Sequence, residues 1–229
     1  LGDCLESVRA IADEILVGDT GSTDGTPELA ASLGAKVVDI PWTDDFAAAR
    51  NALLALAEHD WCLHLDADEV LDQDARHALR HLVDQDGFSA DAVEVMLANY
   101  CDDPRAWRYI PVPLLRLFRN GRGFEYREAV HESITESVFE TGGTVLQRHD
   151  ILIHHPGYLV DPARRREKSA LYLELARRKR HQAPASVKAL HDLAEQAISC
   201  GFTEEAEQAC REALSLDRLH IPWIMNLSN

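Results

Sequence analysis

An α/β architecture, a mostly parallel sheet with helices on both faces followed by an all-helical tail, is what this sequence predicts. Two observations decide it. Between Leu1 and Leu65 short β-type runs alternate with helices of crossover length, the pattern of parallel strands joined across their faces. From Pro162 onward Ala, Leu, Arg and Glu dominate and β-type runs cease, so a second composition regime begins near Tyr158 to Pro162. With 229 residues, 46% of them hydrophobic, the chain can bury a substantial core.

The elements follow in order. Leu5 to Ile11 has helical spacing, and Glu14 to Val17 is a β-type run ending at Gly18-Asp19. In DTGSTDGTPELAASLGA the Gly, Ser and Thr residues make a turn, Asp24 or Thr26 caps a helix starting at Pro27, and Gly34 ends it. Lys36 to Ile40 is the next strand, Phe46 to Glu58 the next helix, Trp61 to Leu65 the next strand. After Asp74 the spacing predicts a helix over Ala75 to Leu82, then β-rich segments at Ala92 to Leu97, Leu114 to Arg119 and Val145 to His155. Residues 1–160 thus form the α/β domain, 161–184 a connecting helix broken at Gln182-Ala183-Pro184, and 185–229 a helical repeat region.

Charge narrows the function. Lys and Arg number 23 against 39 Asp and Glu, a formal charge of -16, so the surface repels a phosphate backbone and nucleic acid is not an expected partner. Five scattered cysteines without a CxxC pair fit reduced thiols and a cytoplasmic location. No apolar run approaches the roughly 18 residues of a membrane span, which leaves at most peripheral membrane contact. The chain opens at Leu1 without Met and reads as a fragment.

The run CLHLDADEVL ends a short apolar strand in Asp66, Asp68 and Glu69. In a parallel sheet the ligand crevice lies outside the carboxyl ends of the strands. Two carboxylates one residue apart there can grip a hard divalent cation, Mn²⁺ or Mg²⁺, and leave positions open for substrate phosphate oxygens. The competing reading has Asp66 capping the next turn while Asp68 and Glu69 are solvated.

VGDTGSTDGT, WTDDFAAARNALL and LHLDADE, in this order, resemble the motifs of family 2 glycosyltransferases of the GT-A fold. The resemblance covers roughly Leu1 to Tyr158 and implies transfer of a sugar from a nucleotide diphosphate donor, most simply a UDP-hexose. It implies that Asp19 contacts the nucleotide base, that Arg50 faces the same nucleotide, and that Asp66 and Asp68 hold the metal on the diphosphate, with Asp66 also near the donor. A carboxylate at Asp19 can accept the uracil imide N–H, and Arg50 offers a planar, always-charged fork. The plainer alternatives are that Asp19 and Asp24 build the turn and that Arg50 pairs with Asp44 or Asp45.

The segment RLFRNGRGFEYREAVHESI resembles a branch of the family that includes lipopolysaccharide-core glucosyltransferases and tetratricopeptide-containing glycosyltransferases. An inverting transferase needs a base for the acceptor proton, and Glu132 in Val130-His131-Glu132 is the candidate, with Glu125, Glu128, Asp102 and Asp103 as competitors. His131 positions the acceptor or satisfies a backbone carbonyl. In ILIHHPGY neighbouring side chains of a strand point to opposite faces, so one of His154 and His155 looks into the crevice; His155 matches the family's His-x-Gly-Tyr pattern and would complete the metal shell near Asp68. His77 and His81 read as a solvated helix face.

Members of the family begin with a Val- and Ile-rich strand, whereas this chain starts inside the following helix, so its donor pocket is expected to lack a wall. It also lacks the Gln-x-x-Arg-Trp segment of processive synthases, which favours single-sugar transfer to a glycan, lipid-linked or peptide acceptor selected by loops around Asn99 to Pro113.

Val187 to Arg218 fits the tetratricopeptide pattern, with Leu190, Leu193, Ala194 and Ala197 on one helix, Gly201 at the turn, and Ala206, Cys210 and Ala213 on the next. One such unit must pack on the transferase domain, on further repeats or on a second copy, so a homodimer is an expected partner arrangement. His220 to Asn229 begins a further repeat. Arg164 to Arg166 and Arg177 to Arg180 read as the solvated face of the connecting helix. Two other functions stay open: a scaffold with a degenerate transferase domain beside a peptide-binding repeat, and a nucleotidyltransferase.

Overall fold

The structure, a computed structural model, describes residues 1–100, 109–156 and 162–216, with the side chains of all of these except 162–165. Asp102, Asp103, the Tyr158 boundary, the side chains of Arg164 and Arg165, and the segment after Leu216 lie outside the described residues. The chain divides into two units, one of Leu1–Glu128 and Glu132–Val160, the other of Ala129–His131 and Asp161–Asn229.

In the first unit α1 (Gly2–Val8), β1 (Leu16–Asp19), α2 (Thr26–Ser32), β2 (Lys36–Asp39), α3 (Phe46–Leu54) and β3 (Trp61–Leu63) follow the predicted alternation. β4 (Val70–Leu71), α4 (Gln73–Asp84), β5 (Ala92–Tyr100), β6 (Tyr109–Arg119), α5 (Thr135–Glu140) and β7 (Val145–His155) complete it. β1 and β2 pair in parallel. The other strands form a five-stranded sheet ordered β3-β6-β5-β7-β4, in which β5 and β7 are parallel while β3–β6, β5–β6 and β4–β7 are antiparallel. The sheet is thus mixed, for a simple reason. The eight residues 101–108 between β5 and β6 are fewer than the dozen or so that a parallel crossover needs, so β6 returns as an antiparallel neighbour.

Local chemistry sets the ends of the elements. Gly34 takes φ 89 just past α2, which lets Ala35 N reach Ala30 O and Gly34 N reach Ala31 O, and this closes the helix. The start differs from expectation: α2 begins at Thr26 behind Gly25, and the Asp24 carboxylate accepts from Thr26 N and Oγ1. At α3 the Asp45 carboxylate accepts from Ala48 N, an ordinary N-cap. α5 and the two-residue β4 carry no periodicity that a sequence reading could find.

The main core joins Val93, Val95 and Leu97 of β5 to Ile151 and Ile153 of β7 and to Leu79 of α4. A second cluster, with Ala47 of α3, Leu115 and Phe118 of β6, Phe124, Tyr126 and Val138, lies on the other face of β6. β6 is buried without a break from Leu115 to Phe118, with Leu117 in the first cluster and Leu115 and Phe118 in the second, beside a register shift against β5. β3 leads into the site, and β6 supplies Arg116 to it.

The second unit contains α6 (Pro162–Gln182), α7 (Val187–Ser199) and α8 (Thr203–Leu216). Leu173 and Ala176 of α6 share one core with Leu190, Ala194 and Ala197 of α7 and Ala209 of α8, and Gly201 makes the turn at φ 83. The expectation that Arg177 to Arg180 form a solvated face fails for three of the four residues. Arg177 forms a two-pronged pair with Glu205 at 2.9 and 2.6 Å, Arg180 meets Glu212 at 2.5 Å, and Lys179, 8% exposed, donates to Asp192 at 2.5 Å. These cations face the acidic flanks of α7 and α8, which a sequence read one helix at a time does not register.

Burial alone would raise the Asp192 pKa, but hydrogen bonds from His191 and Lys179 hold it below the usual carboxylate value. A depressed carboxylate stabilises the fold above its unfolded pKa of about 4 and loses that contribution as pH falls through the folded value. Asp192→Ala, which strips this carboxylate from a buried ammonium, is expected to cost about 3–5 kcal/mol, read as a drop in urea midpoint at pH 7 that shrinks below pH 4.

Candidate active site

The site grows from the end of β3. Beyond Leu63 the ladder continues for one more bond, His64 N to Arg116 O at 2.8 Å, and the chain then turns through Asp66 to Glu69. Glu69 N donates to Asp66 O at 2.9 Å, and Asp66 N donates back to Glu69 Oε2 at 2.9 Å. Glu69 is fully buried. The expectation that it could be a solvated neighbour is therefore corrected: it is the inner brace of the turn.

Two guanidinium groups close on Asp66. Arg50, from α3, donates through a terminal nitrogen to Asp66 Oδ1 at 2.9 Å, and Arg116, from β6, donates to Oδ2 at 3.3 Å. Arg116 also makes a short contact with Glu69 Oε1. Arg50 further donates from Nε to Glu132 Oε1 at 2.6 Å, and the nitrogen that holds Asp66 also contacts this oxygen. Arg50 thus joins two of the predicted site residues, Asp66 and Glu132, and does not pair with Asp44 or Asp45. Asp44 accepts from the Trp42 indole, and Asp45 caps α3.

His64 sits at the centre of this network. Its Nδ1 lies 3.2 Å from Arg50, 2.9 Å from Arg116 and 2.9 Å from the Tyr126 hydroxyl, and Nε2 lies 3.3 Å from Asp66 Oδ1. Burial, with the two arginines beside it, pushes its pKa well below the ordinary value, so the ring is neutral. Arginine has no acceptor, so Nδ1 must be the lone-pair side and Nε2–H the donor toward Asp66. For Asp66 burial would raise the pKa, but Arg50, Arg116 and His64 hold it far below the carboxylate range. For Arg50 burial would lower the pKa, but Asp66 and Glu132 overcome this and raise it.

Asp68 faces a different partner. Its Oδ2 lies 3.3 Å from His155 Nε2, and His155 Nδ1 lies 2.6 Å from Asn99 Oδ1. The hydrogen bond with Asp68 raises the His155 pKa. The adjacent His154 points the other way, to Asp72 at 3.0 Å and the Tyr100 hydroxyl at 2.8 Å, the alternation that a strand imposes. The structure therefore divides the predicted set: Asp68 and His155 meet, whereas Asp66 turns to the arginines. Among the described residues no group of three or more His, Cys, Asp and Glu side chains is gathered as a metal site. A Mg²⁺ or Mn²⁺ that keeps waters and phosphate oxygens is bound through one or two carboxylates, a requirement that Asp68 fits, with the His155 imidazole beside it.

Asp19 ends β1, where its carboxylate accepts from Gly21 N at 3.2 Å and Ser22 N at 3.1 Å. The Ser22 side chain and these amides lower its pKa. Glu125 pairs with Arg127 at 3.1 Å on the surface, and Glu128 takes φ 78. His131 belongs to the helical unit, with Gln196 Nε2 3.1 Å from its Nε2.

Comparison with known proteins decides the family. The model described as "Glycosyl transferase family 2" matches residues 1–155, the whole of the segment that carries this site. The chain belongs to glycosyl transferase family 2.

Among relatives, a TPR repeat-containing protein of Synechococcus elongatus is 40% identical over 135 residues, 59% of this chain and 32% of that protein. The lipopolysaccharide core biosynthesis glycosyltransferase LpsC of Rhizobium meliloti is 32% identical over 150 residues, 58% of this chain and 52% of LpsC. The matched region thus spans about a third to a half of these two relatives. Among solved structures, S. aureus TarS 1-349 superposes with a TM-score of 0.53 at 14% identity, covering 93% of this chain and 76% of TarS. The same protein in complex with UDP-GlcNAc gives 0.52 at 13%, covering 98% and 75%. These likenesses place the family 2 chain in the GT-A fold. No helix among the described residues is long and apolar enough to cross a membrane.

Proposed function

We propose that this family 2 chain transfers a single sugar from a nucleotide diphosphate donor, a UDP-hexose, to a glycan, lipid-linked or peptide acceptor, with inversion and with a divalent metal. The observation that carries the reading is the single guanidinium of Arg50 holding Asp66 and Glu132 together at the end of β3. Support for the donor comes from TarS, a structural neighbour described in complex with UDP-GlcNAc, and for a glycan acceptor from LpsC, named for lipopolysaccharide core biosynthesis.

Each residue then has a task. Asp68 and His155 would hold Mg²⁺ or Mn²⁺, which when bound supplies positive charge to the departing diphosphate. Arg50 orients Asp66 and Glu132 and presents its cationic plane to the nucleotide. Asp19 accepts from the base with lone pairs left over from its turn. Glu132 Oε1 is taken by Arg50, and Oε2 makes no hydrogen bond with the described residues, so Oε2 takes the acceptor proton.

The test is binding. UDP with Mn²⁺ should raise the melting temperature of the 229-residue chain, and Asp68→Ala should remove at least the manganese-dependent part of the shift. An identical shift in the variant, or none in the parent protein, contradicts the assignment.

A further inference from the structure

We propose that Arg116 is a positioning residue of the transfer site: it fixes the Asp66–Glu69 turn so that Asp66 is presented to Arg50 while Asp68 is presented to His155. The inference rests on the transferase reading above and goes beyond it, since that reading gives Arg116 no task.

The geometry is specific. One guanidinium touches three groups of the site: Asp66 Oδ2 at 3.3 Å, the Glu69 carboxylate in a short contact, and His64 Nδ1 at 2.9 Å. The two carboxylates it joins are the ends of a turn already closed by two backbone-linked hydrogen bonds, Glu69 N to Asp66 O and Asp66 N to Glu69 Oε2. With both ends held, the residues between them cannot rotate independently, and Asp68 is the one whose carboxylate lies 3.3 Å from His155. Arg116 itself is anchored by its strand: Leu115 and Leu117 on either side are core residues, and its backbone carbonyl accepts from His64 N at 2.8 Å.

A purely structural role explains this arrangement poorly. Arg116 is 7% exposed and Glu69 is fully buried, and replacing such a pair by uncharged groups of similar volume is often neutral for folding. The Nε of Arg116 is also buried without a hydrogen-bond partner, a cost that a fold selected for stability alone would avoid. What a guanidinium alone supplies is a flat array of donors that sets two carboxylates and an imidazole in one fixed relation.

Arg116→Met is not read alone, because it strips the fully buried Glu69 carboxylate of its cation. The informative variant is Arg116→Met with Glu69→Gln, which removes both charges while the amide oxygen still accepts the Asp66 N–H. Its melting temperature should stay within a few degrees of the parent, its crystal structure should show the Asp66 carboxylate withdrawn from Arg50 or Asp68 withdrawn from His155, and kcat for UDP release should fall at least tenfold. Arg116→Lys, a point charge on the same stem, should keep the fold and fail to restore kcat. A double variant with both carboxylates unmoved and kcat within twofold overturns the inference. Absence of UDP release in the parent chain strikes the transferase reading instead, and the crystallographic comparison then decides the role of Arg116 by itself.

Discussion

Replacing Arg50 by methionine is expected to lower kcat by about 10²-fold or more, because misplacing reacting groups by roughly 1 Å is enough for such a loss. The variant removes three contacts together: the Asp66 bond at 2.9 Å, the Glu132 bond at 2.6 Å and the His64 contact at 3.2 Å. Asp66 retains Arg116 and can stay in place. Glu132, 11% exposed, loses the cation that aims it and turns toward water. Because the Arg50–Glu132 ion pair, 21% and 11% exposed, is broken from one side, a stability loss of about 3 kcal/mol accompanies the kinetic one. Arg50→Lys should recover part of the stability and little of the rate, since an ammonium cannot span three acceptors lying in different directions. Parallel measurement of kcat and melting temperature separates the two effects; a lysine variant with parental kcat contradicts the positioning of Glu132 by the guanidinium plane.

Glu132→Gln should act differently. The amide keeps a carbonyl oxygen for Arg50, so the fold and the affinity for UDP are expected to hold, while the group can no longer accept a proton. Loss of a positioned general base corresponds to about 10²–10⁴-fold in kcat. Steady-state kinetics with an acceptor should therefore show a fall in kcat at nearly constant donor KM. A variant that retains more than half of the parental kcat removes Glu132 from the base role and returns the question to the carboxylates at Glu125, Glu128, Asp102 and Asp103.

Much of this site is legible in the sequence because its residues stand at strand ends, where a short apolar run gives way to carboxylates. Asp66 and Asp68 follow β3, His155 closes β7, and the alternation of a strand correctly sends His154 to the opposite face, onto Asp72. His64 carried a signal of the same kind: two residues before Asp66 on an extended chain, it lies on the same face. Arg116 and Tyr126 lie in the segment RLFRNGRGFEYREAVHESI, but nothing in it points to their partners, since they reach the site through the antiparallel register of β3 on β6, Leu63 opposite Leu117, and through a long-range fold-back to His64. Register follows from the hydrophobic pattern of both strands and from turn geometry, so one strand alone does not say which residue lies opposite. The same limitation hid the fate of Glu69, which looks like a surface charge in DADE until Arg116 is placed beside it, and that of Lys179, which looks solvated until α7 supplies Asp192. It also explains the sheet: alternating elements announce β1 to β3, while the short link between β5 and β6 decides that the larger sheet is mixed.

The most direct measurement is UDP release from a panel of UDP-hexoses with Mn²⁺, comparing the 229-residue chain with a variant carrying Asp66→Ala and Asp68→Ala. Release from at least one donor, reduced at least 100-fold in the variant, is the result expected for a diphosphate held at the end of β3. Equal release by both proteins, or none by the parent chain with any donor, contradicts it.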